Sequence, residues 1–365
     1  MALPEELVEE VLLRFPPAEP AMLVRAALVS KPWYRIVSAP RFRRRFREFH
    51  RTPPVLALFC NFRDQDGEYV TRVAPTSRSS PLRAVQVYWR ALDARHGRVL
   101  LRGMTSPTDS HPGEAGRHLL VCDWDPITFG RCLLPPALTE CHAAVLCAAG
   151  DACDHLDCHG GPFIVVALGP GIEAMWLCVY SSDSGSWSEP IHIAPAPEYG
   201  ISVKPAALVG NALYFAIDRS RSILRYDLAT RETSVMHHLP PESWGRATVL
   251  MTMEDGGLGV ARADRATARL SLWKMEASPN GDIGWTEIRA IELGNLLPVD
   301  ALPISSGFVG FAHGIGAFFV EADDGRIFSY VLKTGQVEMV CKGNGFHSVV
   351  PYMSFYVPGT YFLGL

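Results

Sequence analysis

The stretch CVYSSDSGSWSEPI, residues 178–191, runs from strand-forming residues through a polar turn into a second short strand. Valine and tyrosine suit a pleated, half-buried surface, whereas Ser-Asp-Ser-Gly is the chemistry of a tight turn. The same unit recurs as LVCDWDPITFGRCLLP (120–135), LRYDLATRETSVM (224–236), LWKMEASPNGDIGWTEI (272–288) and FSYVLKTGQVEMV (328–340). The polar turns centre near Thr128, Ser184, Thr230, Gly284 and Thr334, at spacings of 56, 46, 54 and 50 residues. A period of ~40–50 residues carrying four strands is that of a propeller blade. The 314 residues from Thr52 onward hold about six such periods. An irregular pair of β-sandwiches would not need one turn unit five times.

The flanking sequence agrees with that reading. Short β-prone runs such as PVLALFCNF, AVQVYW (taken as a single strand), FIVVALG and GAFFVEA alternate with DG, NG, SG, GG and TG dipeptides. No amphipathic helix of ten residues is expected beyond Pro53.

Residues 1–52 have a different character. LPEELVEEVLLRF sets Leu7, Val11 and Leu12, with Phe15 after them, on one side of a short helix whose glutamates lie toward its N-terminal end. Pro16-Pro17 stops it. PAMLVRAALV forms a second helical stretch, and a third begins at Pro32, holds Trp33, Ile36 and Val37, and ends before Pro40. Fewer than fifty residues make a poor core of their own, so part of this apolar surface awaits a partner. RFRRRFREFH (41–50) then places Phe42, Phe46 and Phe49 at i, i+4 and i+7, with Arg43, Arg44, Arg45 and Arg47 on the other faces. A free basic arm for nucleic acid or nuclear import needs no phenylalanines in register. The run therefore reads as a connector helix with a solvated face, or one opposing acidic groups.

In order and spacing, residues 3–42 resemble an F-box motif. The resemblance rests on Leu3-Pro4, Leu7, Val11, Leu12, Leu13-Arg14-Phe15-Pro16-Pro17, the Leu23 helix, and Val29-Ser30-Lys31-x-Trp33 with Ile36 and Pro40. Ser30 stands where the family often has Cys, and Pro32 occupies a usually non-proline position. The resemblance implies docking to the Skp-type adaptor of a cullin–RING ubiquitin ligase through Leu3, Pro4, Leu7, Val11, Leu12, Leu23, Val24, Val29, Trp33 and Ile36. The later segments PPVLALF, LLVCDW, DHLDCHGGPF, VYSSDSGSWS, LVGNALYF, EDGGLGV and SFYVPG resemble plant F-box proteins with a C-terminal, kelch-like F-box-associated propeller. The expected organisation is α plus all-β: a three-helix F-box at 1–40, a connector helix at 41–52 and a roughly six-bladed propeller at 53–365. It implies a non-catalytic substrate receptor whose propeller recruits a protein target for ubiquitination. The alternative is a propeller that binds a small molecule or glycan, with the F-box controlling its own turnover.

Composition sets the excluded classes. The net charge of −4 divides into +4 over residues 1–51 and −8 over the remainder, which is unlike a general nucleic-acid or anionic-membrane binder. No run approaches the ~18–20 apolar residues of a membrane span. The acidic MALPEELVEE is unlike a secretory signal, and nine cysteines without framework spacing suit reduced thiols, so the expected location is cytoplasmic and/or nuclear. CHAAVLCAAGDACDHLDCHGGP gathers Cys141, His142, Cys147, Cys153, His155, Asp157, Cys158 and His159, all potential zinc ligands. It lacks the C-x2-C knuckle, so the expectation is a tight loop satisfied by hydrogen bonds and buried thiols, with no metal or cofactor. No G-x-S-x-G, H-E-x-x-H or G-x-x-x-x-G-K-[ST] motif is present. The cations are 29 arginines and only five lysines. Codon bias explains this, or a receptor held near ubiquitin transfer avoids being its own substrate.

Overall fold

The computed structural model describes residues 4–65, 69–77, 85–103, 119–123, 130–136, 141–171, 173–193, 204–217, 222–237, 240, 248–264, 267–277, 283–298, 304–343, 346 and 348–357. Four helices come first: α1 (Glu5–Leu13), α2 (Pro20–Val29), α3 (Lys31–Ser38) and α4 (Pro40–His50). Their starts follow local chemistry. Prolines lie in the first turns of α2, α3 and α4, where a missing N–H costs nothing. Ser30 caps α3 by accepting a hydrogen bond from the Trp33 N–H at 3.3 Å, so the residue that departs from the usual cysteine has a structural use.

Six antiparallel sheets follow, and they form a propeller. Blade 1 contains β1 (Val55–Arg63), β2 (Tyr69–Pro75) and β3 (Val85–Val87). Blade 2 contains β4 (Trp89–Arg95), β5 (Arg98–Gly103), β6 (Leu119–Asp123) and β7 (Gly130–Leu133). Blade 3 contains β8 (His142–Cys147), β9 (Phe163–Gly169), β10 (Met175–Ser181) and an outer edge made of β11 (Ser186–Trp187) and β12 (Ile191–Ile193). Pro190 breaks that edge, because it cannot donate to a ladder. Blade 4 contains β13 (Ala207–Val209), β14 (Ala212–Ile217), β15 (Ser222–Asp227) and β16 (Thr233–His237). Blade 5 contains β17 (Thr248–Thr252), β18 (Leu258–Asp264), β19 (Arg269–Ala277) and β20 (Ile283–Glu292). Blade 6 contains β21 (Ile304–Ala312), β22 (Ala317–Ala322), β23 (Arg326–Val331) and β24 (Val337–Lys342). The last strand, β25 (Ser348–Met353), returns to pair with β1, so one end of the chain supplies the innermost strand of the first blade and closes the ring.

Adjacent blades are tied by buried polar groups as well as by packing. Asn61 in β1 donates to the Ala91 carbonyl of β4 at 2.8 Å and to the Ser348 hydroxyl of β25 at 2.9 Å. Its carbonyl accepts from the Ala91 N–H at 2.9 Å and from the Thr71 hydroxyl of β2 at 2.5 Å. A single amide thus joins both partners of the closing seam to blade 2. Asp93, 2% exposed, reaches from blade 2 to accept from the Val145 N–H of β8 at 3.0 Å.

Two sequence expectations need correction. AVQVYW is two strands in different blades, divided at Tyr88, because no Gly, Pro, Asn or Asp within it marks where one blade ends and the next begins. Gly284 lies inside β20, and the connection between β19 and β20 falls earlier, at 278–282, outside the described residues. The turn at Thr128 also lies outside them.

Candidate functional site

Apolar residues cover more than one face of α1. Val8, Leu12 and Leu13 point inward and are buried, whereas Leu7 and Val11 point outward at 53% and 54% exposure. The inner set packs with Leu23, Ala26 and Ala27 of α2, Val37 of α3, and Phe42 and Phe46 of α4. The residues selected from the sequence for adaptor docking therefore divide. Leu12 and Leu23 are core, Val24, Trp33 and Ile36 are half-buried, and Pro4, Leu7, Val11 and Val29 are exposed. Leu3 lies outside the described residues. Leu28, 70% exposed beside Val29 at 72%, enlarges the outer face. Sequence reading missed it because only the fold shows which side of α2 is covered.

The expected connector helix is α4, which packs through Phe42 and Phe46 into the core of the other three, so the helical module has four helices where three were expected. Two of the α4 arginines are committed within the chain, whereas Arg41 and Arg44 stay exposed. Arg45 pairs with Glu9, and with Glu10 at 2.8 Å, both on α1. Arg47, expected on a solvated face, is buried at 7% exposure and pairs with Asp157 of the loop between β8 and β9. Burial works against the Arg47 charge, and Asp157 supports it. Phe49, expected in the buried stripe, is 53% exposed. It sits in the last turn, just before Arg51 leaves the helix in a left-handed conformation (φ 58°), and stacks edge-on against His50. The helical module thus grips the propeller through the Arg47–Asp157 pair and through Leu156, Phe355 and Val357, which join its core.

Beside this junction the propeller mouth holds a cavity of ≈ 320 Å³. Its walls come from the ends of β4 and β25, the 154–159 loop and the turn after β21. The mouth's charges face one another: Asp93 pairs with Arg95 at 3.1 Å, and Arg95 also donates to the Ala206 carbonyl. Burial raises the Asp93 carboxyl, opposed by the Arg95 charge. The His313 imidazole is pushed down to about 3 by burial and then by the Arg95 charge, and its buried Nδ1 has no hydrogen-bond partner among the described residues.

The cysteine–histidine segment forms the loop from 148 to 162 at the edge of this mouth. It brings Cys147, Cys153, His155 and Cys158 together, with donor atoms all within 4.8 Å of one another. Cys141, His142, Asp157 and His159 do not join that group. The Cys158 thiol is pushed up to about 12 by burial and by the thiols of Cys147 and Cys153. Spacing did not reveal this set, since the left-handed backbone of His155 (φ 56°) turns the loop inward.

Comparison with known proteins supports the helical assignment. Residues 1–45 match the F-box domain. No curated protein matches the chain. Among solved structures the chain is similar to a proposed 6-phosphogluconolactonase of Bacteroides fragilis, with 10% identity and a TM-score of 0.40 over 79% of this chain and 85% of that one. BBS1N in complex with ARL6DN gives 10% identity and a TM-score of 0.40 over 73% and 76%. A protein from Lactobacillus plantarum gives 12% and 0.40 over 80% and 98%. These distant likenesses do not bear on activity. The molecule is an F-box domain followed by a six-bladed β-propeller.

Proposed function

We propose that this chain is the substrate-recognition subunit of an SCF-type cullin–RING ubiquitin ligase. F-box domains bind Skp1-type adaptors, and the observation that carries the reading is the uncovered apolar face on this one. Leu7, Val11, Leu28 and Val29 are each more than half exposed on a module whose inner face is already filled. Apolar faces of this kind on a small module serve as interfaces. The propeller then recruits a target protein, and the subunit contributes proximity, holding a target lysine near a charged ubiquitin carrier, with no acid, base or nucleophile of its own. Cytoplasmic and/or nuclear residence, and descent from plant, kelch-like F-box-associated propellers, belong to the same proposal. So does the absence of nucleic-acid and membrane partners, which the inward pairing of Arg45 and Arg47 supports.

The test is binding of the purified chain to a Skp-type adaptor beside a Leu7→Asp/Val11→Asp variant. Both side chains are exposed, so the variant keeps the fold while the desolvated charges oppose docking. A loss of at least ~100-fold in affinity is expected, equivalent to about 2.7 kcal/mol. An intact, folded chain that does not bind the adaptor ends the proposal.

A second reading has its own observation. The mouth cavity and the unpartnered Nδ1 of His313 fit a small molecule or glycan, with the F-box controlling the chain's own turnover. Thermal stabilisation by a carbohydrate or metabolite panel, lost in His313→Phe, would favour it.

A further inference from the structure

We propose that Cys147, Cys153, His155 and Cys158 form a structural zinc site that locks the joint between the F-box module and the propeller. Three thiols and one imidazole form one of the donor sets used by closed, tetrahedral zinc sites. The geometry is close to what such a site needs. At metal–ligand bonds of about 2.0–2.3 Å, tetrahedral donors lie roughly 3.4–3.8 Å apart. Here Cys158 Sγ and His155 Nδ1 are 3.7 Å apart, and no pair among the four exceeds 4.8 Å. Closing to coordination distance takes shifts of about 1 Å or less.

The loop is also built to hold these donors. The His155 N–H points at Cys153 Sγ at 3.4 Å, the kind of amide contact that supports a thiolate. Arg98, 1% exposed, donates to the Cys158 carbonyl at 2.7 Å and to the Gly161 carbonyl at 2.5 Å. The Gly161 N–H also donates to the Cys158 carbonyl at 3.0 Å. This buried clamp fixes the chain immediately after the last ligand. His155 is held at φ 56°, a conformation costing a non-glycine residue about 1–2 kcal/mol, and it is this residue that brings the imidazole to the three sulfurs. A disulfide would employ two of the sulfurs and leave the third and the imidazole unexplained.

Binding is a ligand exchange with no redox change. Zn²⁺ loses its waters, three S–H bonds yield protons to solvent, and neutral His155 gives a lone pair. The resulting centre carries a net charge of −1, beside the Arg98 guanidinium. The consequence lies between the ligands. Leu156 and Asp157 sit inside the His155–Cys158 segment, and both touch the helices: Leu156 packs into the helical core beside Phe355 and Val357, and Asp157 pairs with Arg47. Tying residues 153, 155 and 158 to Cys147 at the end of β8 therefore ties the helical module to blade 3. This proposal stands independently of adaptor docking.

The experiment is metal analysis of the full chain purified under reducing conditions and desalted, with adaptor binding not used as a readout. About one zinc per chain is expected. Content should fall at least ten-fold in Cys153→Ser/Cys158→Ser, and remain in Cys132→Ser/Cys341→Ser, whose thiols lie outside the cluster. If the ligand variant fails to fold, the native chain refilled with cobalt(II) supplies the second readout, the intense visible bands of a tetrahedral, thiolate-rich site. Chelation should also raise amide hydrogen exchange in residues 153–159 and in α4 together. A folded chain holding less than about a tenth of an equivalent of zinc overturns the proposal. So does zinc retained by a folded ligand variant, a weak octahedral cobalt spectrum, or a disulfide among Cys147, Cys153 and Cys158 in reduced-purified protein.

Discussion

His313 shows how a single side chain sets a condition for the whole fold. It lies at the propeller mouth with its imidazole buried and its ordinary proton affinity reduced to about 3, because burial and the Arg95 charge both oppose the cation. In the unfolded chain the same group titrates near 6.5. Below that value the unfolded state takes up a proton that the native state refuses. His313 therefore favours the fold fully above about pH 6.5, and this contribution is lost as pH falls toward about 3. The slope approaches about 1.4 kcal/mol per pH unit in the middle of that window and falls to about half of that near pH 3, where the native imidazole begins to take up the proton too. Urea unfolding at pH 7.5 and pH 5 should show His313→Asn less acid-sensitive than the parent by about 1 kcal/mol or more. Parallel pH dependence in the two proteins would mean that His313 is hydrated and free to titrate.

The propeller's repeating element is the hairpin between the third and fourth strands of a blade, and it is what the sequence displayed most openly. In blade 3 the Gly185 N–H returns to the Ser181 carbonyl at 2.9 Å, and in blade 6 Gly335 returns to Val331 at 2.8 Å. Blade 4 makes the same turn with Arg231 returning to Asp227 at 2.9 Å. The turn requires a left-handed residue at its fifth position: Gly185 at φ 67°, Gly335 at 69° and Arg231 at 60°. Arg231 thus bears a strain its two counterparts avoid. Arg231→Gly removes about 1–2 kcal/mol of backbone strain and costs roughly 0.5–1 kcal/mol in unfolded-state entropy. A gain of about 0.5–1 kcal/mol is expected, read as a higher denaturation midpoint, whereas Arg231→Ala should give none. Ser184, Thr230 and Thr334 were legible because each is the fourth residue of this turn. Less was legible where the fold, and no local pattern, decides. The inward face of α1 is chosen by α2, α3 and α4, so Leu12 and Leu7 look alike in sequence and lie on opposite sides. Likewise the metal-ligand geometry depends on one left-handed histidine and on Arg98, which is 49 or more residues away from each of the four donors.

At the scale of the molecule, the placement of lysines becomes testable. Of the five, Lys204 bonds the Thr248 carbonyl at 2.9 Å, joining blades 4 and 5, and Lys274 pairs with Asp255 at 2.6 Å. Lys31, Lys333 and Lys342 are exposed, and Lys31 opens α3 beside the face proposed for adaptor docking. If the chain acts as the proposed ligase receptor, it presents few amines of its own to ubiquitin transfer, while arginine maintains charge and surface packing without offering a nucleophilic amine. Two explanations then predict different behaviour. If codon usage alone set the arginine bias, exchanging exposed arginines for lysine would leave turnover unchanged. If self-ubiquitination is what the composition avoids, Arg41→Lys/Arg44→Lys/Arg231→Lys should shorten the protein's half-life in cells about two-fold or more, through partitioning of the few exposed acceptors. All three positions are exposed, so the exchange should leave thermal stability within about 0.5 kcal/mol of the parent. The decisive comparison adds Leu7→Asp/Val11→Asp, which is designed to detach the chain from the ligase. Faster turnover that disappears in the combined variant ties the effect to docking, whereas faster turnover that persists assigns it to a ligase acting in trans.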